Sequence, residues 1–226
     1  MRLAIQICNY LIGLPLELLI IAALLRGAYR RFPIILVYTI AYFLTTVVEI
    51  PVYIAYYSGV KGVRGYRVFL YWLDEGILQL LIFAVVMSLI YQASARVGSR
   101  RILRAGLIVG AIFFAGISFL LHYNRHIALG LWMTPWTRDL SFCSTILDLA
   151  LWALLIASRK KDHLLLMLSG ALGIQFTGEA IGESLRNLSN SPVAVNSGDI
   201  MIVLADFLCL YIWWQAFRGA ARAGAK

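Results

Sequence analysis

The stretch GIQFTGEAIGESL, residues 173–185, sets Glu179 and Glu183 one helical turn apart in an otherwise apolar run. Residues four apart share a helix face. Two carboxyls so placed can pass a proton, share a cation or accept hydrogen bonds from a neighbouring helix. Gly178 and Gly182 repeat the spacing on a strip about 100° round the axis, where a second helix can come close. Of the eleven acidic residues, only Asp162 lies in a clear loop. The other ten fall within apolar runs or at their ends.

Those runs define the elements. The chain has 226 residues, of which 62% are hydrophobic and 14% charged. Soluble domains are nearer 45–50% apolar and 25% charged. About 20 apolar residues cross a bilayer as a helix, and seven such segments are expected: 3–25, 33–57, 68–93, 103–122, 137–158, 164–186 and 198–217. The expected fold class is an all-α integral membrane protein, one seven-transmembrane-helix bundle spanning residues 1–226. The first segment is read as a retained helix, because its apolar run is long and Arg26, Arg30 and Arg31 follow it directly.

The net charge of +9 invites a nucleic-acid reading, but its distribution follows the loops instead. Arg26, Arg30 and Arg31 follow the first segment. Arg96, Arg100, Arg101 and Arg104 follow the third, Arg159, Lys160 and Lys161 the fifth, and Arg218, Arg222 and Lys226 the seventh. These are 13 of the 20 basic residues, and all fall on one side. The positive-inside rule then places the N-terminus outside and the C-terminus in the cytoplasm. The expected location is a plasma (cytoplasmic) or cell inner membrane, with the lipid bilayer as partner and no nucleic acid.

With that orientation and 1.5 Å of rise per residue, Asp148 and Asp206 fall within about 3 Å of the midplane. Glu17 falls about 5 Å to the inner side, and Glu49 and Glu179 about 6 Å to the outer side. A lipid-facing Asp at helix centre costs about 2.5–3.5 kcal/mol, so the five are expected to turn inward. No Lys, Arg or His stands at their depth. Protonation, a bound cation or a water-filled cavity would each satisfy them. Local hydrogen bonds from Asn9, Gln79, Thr45, Thr46, Gln175 or Thr177 would do so without any binding role. Asp74, Glu75 and Glu183 are expected nearer the outer surface, lining a vestibule, where Arg67, Arg138 and Arg186 can pair with Asp74, Asp139 and Glu183. Pro51 beside Glu49, and Pro15 beside Glu17, interrupt helix hydrogen bonding as transporter midplane sites do.

Other groups point less sharply. His122 and His126 stand at i, i+4 and are weak metal-ligand candidates, with outer carboxylates to complete a site. No HExxH, GxSxG or Walker loop specifies an enzyme. Cys8, Cys143 and Cys209 all fall in apolar segments and read as inert thiols. Trp72, Trp132, Trp136, Trp213 and Trp214 read as interfacial belts. Gly106 and Gly110 in the fourth segment read as a helix-packing ridge.

The fourth segment carries no acid, and the three on either side compare at an offset near 130 residues. Arg30 and Arg31 then fall on Lys160 and Lys161, and Glu49 falls on Glu179. This 3+1+3 pseudo-repeat with N-out topology resembles the general plan of the sugar-porter and PQ-loop families and of microbial rhodopsins. The likeness is one of topology alone: there is no Pro-Gln pair, and the seventh segment has no lysine for a retinal Schiff base. The expectation is a proton- or cation-coupled small-solute transporter, with Glu17, Glu49, Asp148, Glu179 and Asp206 binding the proton or cation and no other cofactor. The alternatives are a seven-helix sensor or receptor module signalling through a partner, and an intramembrane metalloenzyme. Homo-oligomerisation is compatible with each.

Overall fold

The computed structural model describes residues 2–58, 63–96, 101–124, 129–157, 162–188 and 191–223. They form seven α-helices: α1 (Arg2–Leu25), α2 (Pro33–Tyr57), α3 (Val63–Arg96), α4 (Arg101–His122), α5 (Leu129–Ala157), α6 (His163–Leu188) and α7 (Pro192–Ala223). Among the described residues there is no strand. Six of the helices are long and apolar enough to cross a membrane. The apolar part of α4 among the described residues is shorter, Val109–His122. Length and apolarity together fit a multi-pass membrane protein.

The helices overrun the apolar segments read from sequence. α5 begins at Leu129 and runs through Pro135, and α7 begins at Pro192 rather than near 198. Backbone hydrogen bonding carries a helix past the end of its hydrophobic run into polar turns, and composition does not mark that limit. α2 and α7 each open on a proline, whose missing N–H is no loss in a first turn. Ser191 adds a cap to α7 by accepting the Ala194 N–H at 3.1 Å. The turn after α1 depends on Gly27, whose φ of 134° a side chain would disfavour.

Packing runs round a ring: α1 on α2, α2 on α3, α3 on α5, α5 on α6, α6 on α7 and α7 on α1. α4 lies outside it and, among the described residues, packs against α5 and α3 only, while α3 also reaches α6 across the middle. The main core gathers toward one end, where Leu24, Phe32, Leu89, Leu165, Trp213 and Phe217 are buried. The rings of Phe32 and Phe217 meet edge to face at 5.7 Å. The ends of α1 and α7 therefore lie together, and these two neighbours run parallel.

At the same end Arg31 ties three elements. Its guanidinium donates to Asp162 Oδ2 at 2.6 Å, and its carbonyl accepts from Gln92 of α3 at 3.0 Å. Asp162 Oδ1 also accepts the N–H groups of Leu164 and Leu165 at 3.2 and 3.4 Å, capping α6. Asp162→Ala removes the cap and the ion pair together. We expect a loss of about 1–2 kcal/mol, a fall of roughly 2–6 °C in detergent melting. Asp162→Asn, which keeps a capping oxygen, should lose less than half of that. An alanine variant melting with the wild type would show that neither contact contributes.

Two expectations about packing need correction. Trp213 is fully buried and donates its indole N–H to Leu168 O at 3.3 Å, and Trp136 is buried against Phe119, so both are core residues rather than interfacial ones. Gly106 and Gly110 have no neighbour within 4 Å of an added Cβ. α4 meets the bundle along another face, through Ala111 and Ser118, and leaves that ridge open.

Candidate functional site

The close pair α6 and α7 sets the site. A Cβ on Gly178 would run into Ala205, and one on Gly182 would lie 2.8 Å from Gly198 O and against Ile202. The glycine strip of α6 thus seats α7. Glu179 is then carried to the side, where it faces Asp206 of α7 and Glu75 of α3 within charge–charge range. Asp206 and Glu75 are within the same range of each other. Gln175, one turn below Glu179, donates to Glu179 Oε1 at 3.2 Å, and its amide also faces Asp206 and Tyr38.

Tyr42 of α2 extends the cluster. It lies in range of Asp206, of Asp74 of α3 and of Glu17 of α1. Tyr42 stacks on Tyr38 at 6.0 Å, and Tyr38 meets Trp213 edge-on at 5.8 Å. Glu17 is 1% exposed, beside Gly13, with Asn9 and Phe207 close by. Asp74 faces the Thr45 hydroxyl. Five carboxyls from four helices thereby form one connected set: Glu17, Asp74, Glu75, Glu179 and Asp206.

Toward the opposite end from Arg31 the set reaches a guanidinium. Glu75 is in range of Glu183 and Arg186. Arg186 donates to Glu183 Oε1 at 2.6 Å and to Asp199 Oδ1 at 2.7 Å. This pairing of Arg186 with Glu183 is the one expected from sequence, and Asp199 joins it. Deeper in, Glu17 Oε2, Asp74 Oδ1, Gln79 Nε2 and Asp206 Oδ1 are buried without a hydrogen-bond partner among the described residues. Buried polar atoms normally find partners. Three carboxylate oxygens left over in one region are suited to a proton, a cation or a polar solute group.

Of the other acids singled out in the sequence, Asp148 shares Cys209 as a charge-range neighbour with Glu179 and Asp206, and Glu49 shares Tyr71 with Glu75. Asp148 of α5 is 3% exposed and accepts from Ser169 of α6 at 2.7 Å, which ties it into the α5–α6 seam. Glu49 lies on the α2–α3 flank, lining a cavity of about 310 Å³ with Tyr53, Tyr56, Tyr71 and Trp72. Among the described residues Asp139 pairs with no arginine; it accepts from Ser118 at 2.8 Å, with His122 Nδ1 3.7 Å away. His126 lies outside the described residues. Among those described, no three His, Cys, Asp or Glu side chains are grouped to hold a metal. The three cysteines are free.

Sequence reasoning passed over Tyr38, Tyr42 and Tyr71, which join the acids. Their only signal was position. Tyr38, Tyr42, Thr45 and Glu49 recur at three- and four-residue steps, a polar-tipped stripe on an apolar helix. No protein-family model, no curated protein and no solved structure matches the chain.

Proposed function

We propose that the chain is a carrier of a small solute in a cytoplasmic-type membrane, with transport coupled to a proton or cation held by Glu17, Asp74, Glu75, Glu179 and Asp206. What supports this reading is the set of those carboxyls, three with a buried oxygen that has no hydrogen-bond partner among the described residues, and no basic side chain in the set short of Arg186 among those described. Such a group is costly in a bilayer and is retained where ions or protons pass. A purely adhesive role would call for one or two acids, each matched to a donor, as Asp148 is matched to Ser169.

In this reading α1 to α7 all cross, α4 included, with the N-terminus outside. Arg186, Glu183 and Asp199 then stand at the outer mouth, and Arg31 with Asp162 at the inner end. Gln175 holds Glu179 and Asp206 together through its amide, as a fixed hydrogen-bonding group that does not itself titrate. Occupancy of this pair would bias which end of the bundle opens.

The test is proton uptake into liposomes carrying the purified protein and an internal pH dye, under an imposed potential. Wild type should acidify the lumen. Glu179→Gln and Asp206→Asn should each reduce the rate by at least about ten-fold, the loss of one charged hydrogen-bonding ligand. Uptake unaltered in both variants, at equal protein per vesicle, would sink the reading.

A further inference from the structure

Glu17 is the most enclosed acid of the carboxyl set, at 1% exposure, and its surroundings on α1 have a shape of their own. Asn9, Gly13 and Glu17 stand at four-residue steps, one stripe of the helix. Gly13 lacks the side chain that would separate the other two. A Cβ there would lie 3.5 Å from Glu17 Oε1, 3.8 Å from Asn9 Oδ1 and 3.8 Å from the Phe207 ring of α7. A carboxylate oxygen and an amide oxygen thus border one methyl-sized notch, with an aromatic edge on its third side.

The chemistry of the notch calls for a positive ion. Two acceptor oxygens facing one space repel each other unless a cation lies between them. Glu17 Oε2 is buried without a hydrogen-bond partner among the described residues. A proton on that oxygen would leave an O–H with no acceptor, so protonation alone does not satisfy it. Among the described residues no charged side chain stands in charge range of Glu17, and Tyr42 is what links it to Asp74 and Asp206. One carboxylate balances one positive charge, whereas a divalent ion would leave a charge unpaired inside an apolar bundle. A methyl-sized space excludes an organic cation and admits a bare ion whose remaining ligands are water.

We propose that this notch seats a monovalent alkali cation, sodium or potassium, held by the Glu17 carboxylate and the Asn9 amide oxygen. The proposal deepens the reading of Glu17 as an ion-holding acid and rests on that part of the transport reading alone.

The experiment is equilibrium binding of radiolabelled sodium to the whole purified protein in a maltoside detergent, with N-methyl-D-glucamine as the only other cation. Competition by potassium then ranks the two ions. A single saturable site per chain is expected, and Gly13→Ala and Glu17→Gln should each weaken it at least about ten-fold. The methyl of Gly13→Ala meets only ordinary van der Waals distances. In sodium-free buffer this variant should therefore melt at or above the wild type, since alanine favours a helix. A merely structural Glu17 would not make sodium binding depend on that glycine. Gly110→Ala, with nothing near its Cβ, should bind as the wild type does. If Gly13→Ala melts lower, Asn9→Ala takes its place. The inference is overturned if neither sodium nor potassium binds saturably, if the notch variant binds as the wild type, or if magnesium binds more tightly than either. Proton uptake by a wild type that binds no alkali ion would defeat this inference and leave transport standing. Sodium binding lost in Gly13→Ala, with no proton uptake, would do the reverse.

Discussion

Gly182→Leu should leave almost no monodisperse protein, whereas the same change at Gly110 should be harmless. At Gly182 a Cβ already stands 2.8 Å from Gly198 O and against Ile202, so room could come only from moving α7 off α6. That contact is the most extensive in the bundle. Overpacking of a well-filled core typically costs about 1–3 kcal/mol; here the obstruction is backbone, and four heavy atoms are added rather than one. Gly198→Ala tests the partner surface, since its Cβ would fall 2.5 Å from Gly182 O. Gly110 has nothing within 4 Å. Alanine there should gain helix propensity, up to about 1 kcal/mol, or roughly 2–4 °C in melting temperature. Size-exclusion yield and detergent melting of the four variants decide the matter. A Gly182→Leu protein that melts with the wild type would mean that α6 and α7 do not pack as described.

The second large effect is opposite in sign for stability and for function. Combining Glu75→Gln, Glu179→Gln and Asp206→Asn should abolish proton uptake, lowering it at least about 100-fold if two ligands act independently. The same protein should melt higher, by roughly 2–6 °C. These three groups lie within charge–charge range of one another, and Asp206 Oδ1 has no partner. An amide carries no charge to repel or desolvate and can donate to an acid it replaces as neighbour. Stability given up at a site of action is the usual trade-off. If the variant lost stability, the acids would be fastening the bundle, and the transport reading would go with them.

The seven helices were legible because hydropathy is a one-dimensional property and a bilayer imposes one length on each crossing. Their ring order was not. In lipid both faces of a helix are apolar, so Leu168 in the core and Leu208 on the outside carry the same signal. Depth reckoning grouped Asp148 with Asp206, but rise along the axis says nothing of azimuth. On α5 Asp148 accepts from Ser169 of α6, and Cys209 of α7 lies in charge range of both acids. Asp74 and Glu75 were placed in a vestibule by depth, yet α3 also leans on α6, which brings Glu75 to Glu179 and Asp206. The tyrosines in charge range of Glu179 and Asp206 gave no such signal, since a tyrosine among apolar residues reads as bulk.

α3 and α5 are neighbours that point the same way: Gln92, late in α3, sits at the Arg31 end, and α6 starts from that end directly after α5. A chain leaving α3 must therefore travel back the full height of the molecule before α5 can begin. At 1.5 Å per residue the 22 residues of α4 cover about 33 Å, enough for that return. α4 contains no acid and, among the described residues, touches only the two helices it joins. Its contribution is to parity: by adding one more pass along the bundle it lets α5 run the same way as α3. An unrelated apolar helix of equal reach, grafted between residues 100 and 123, should serve as well.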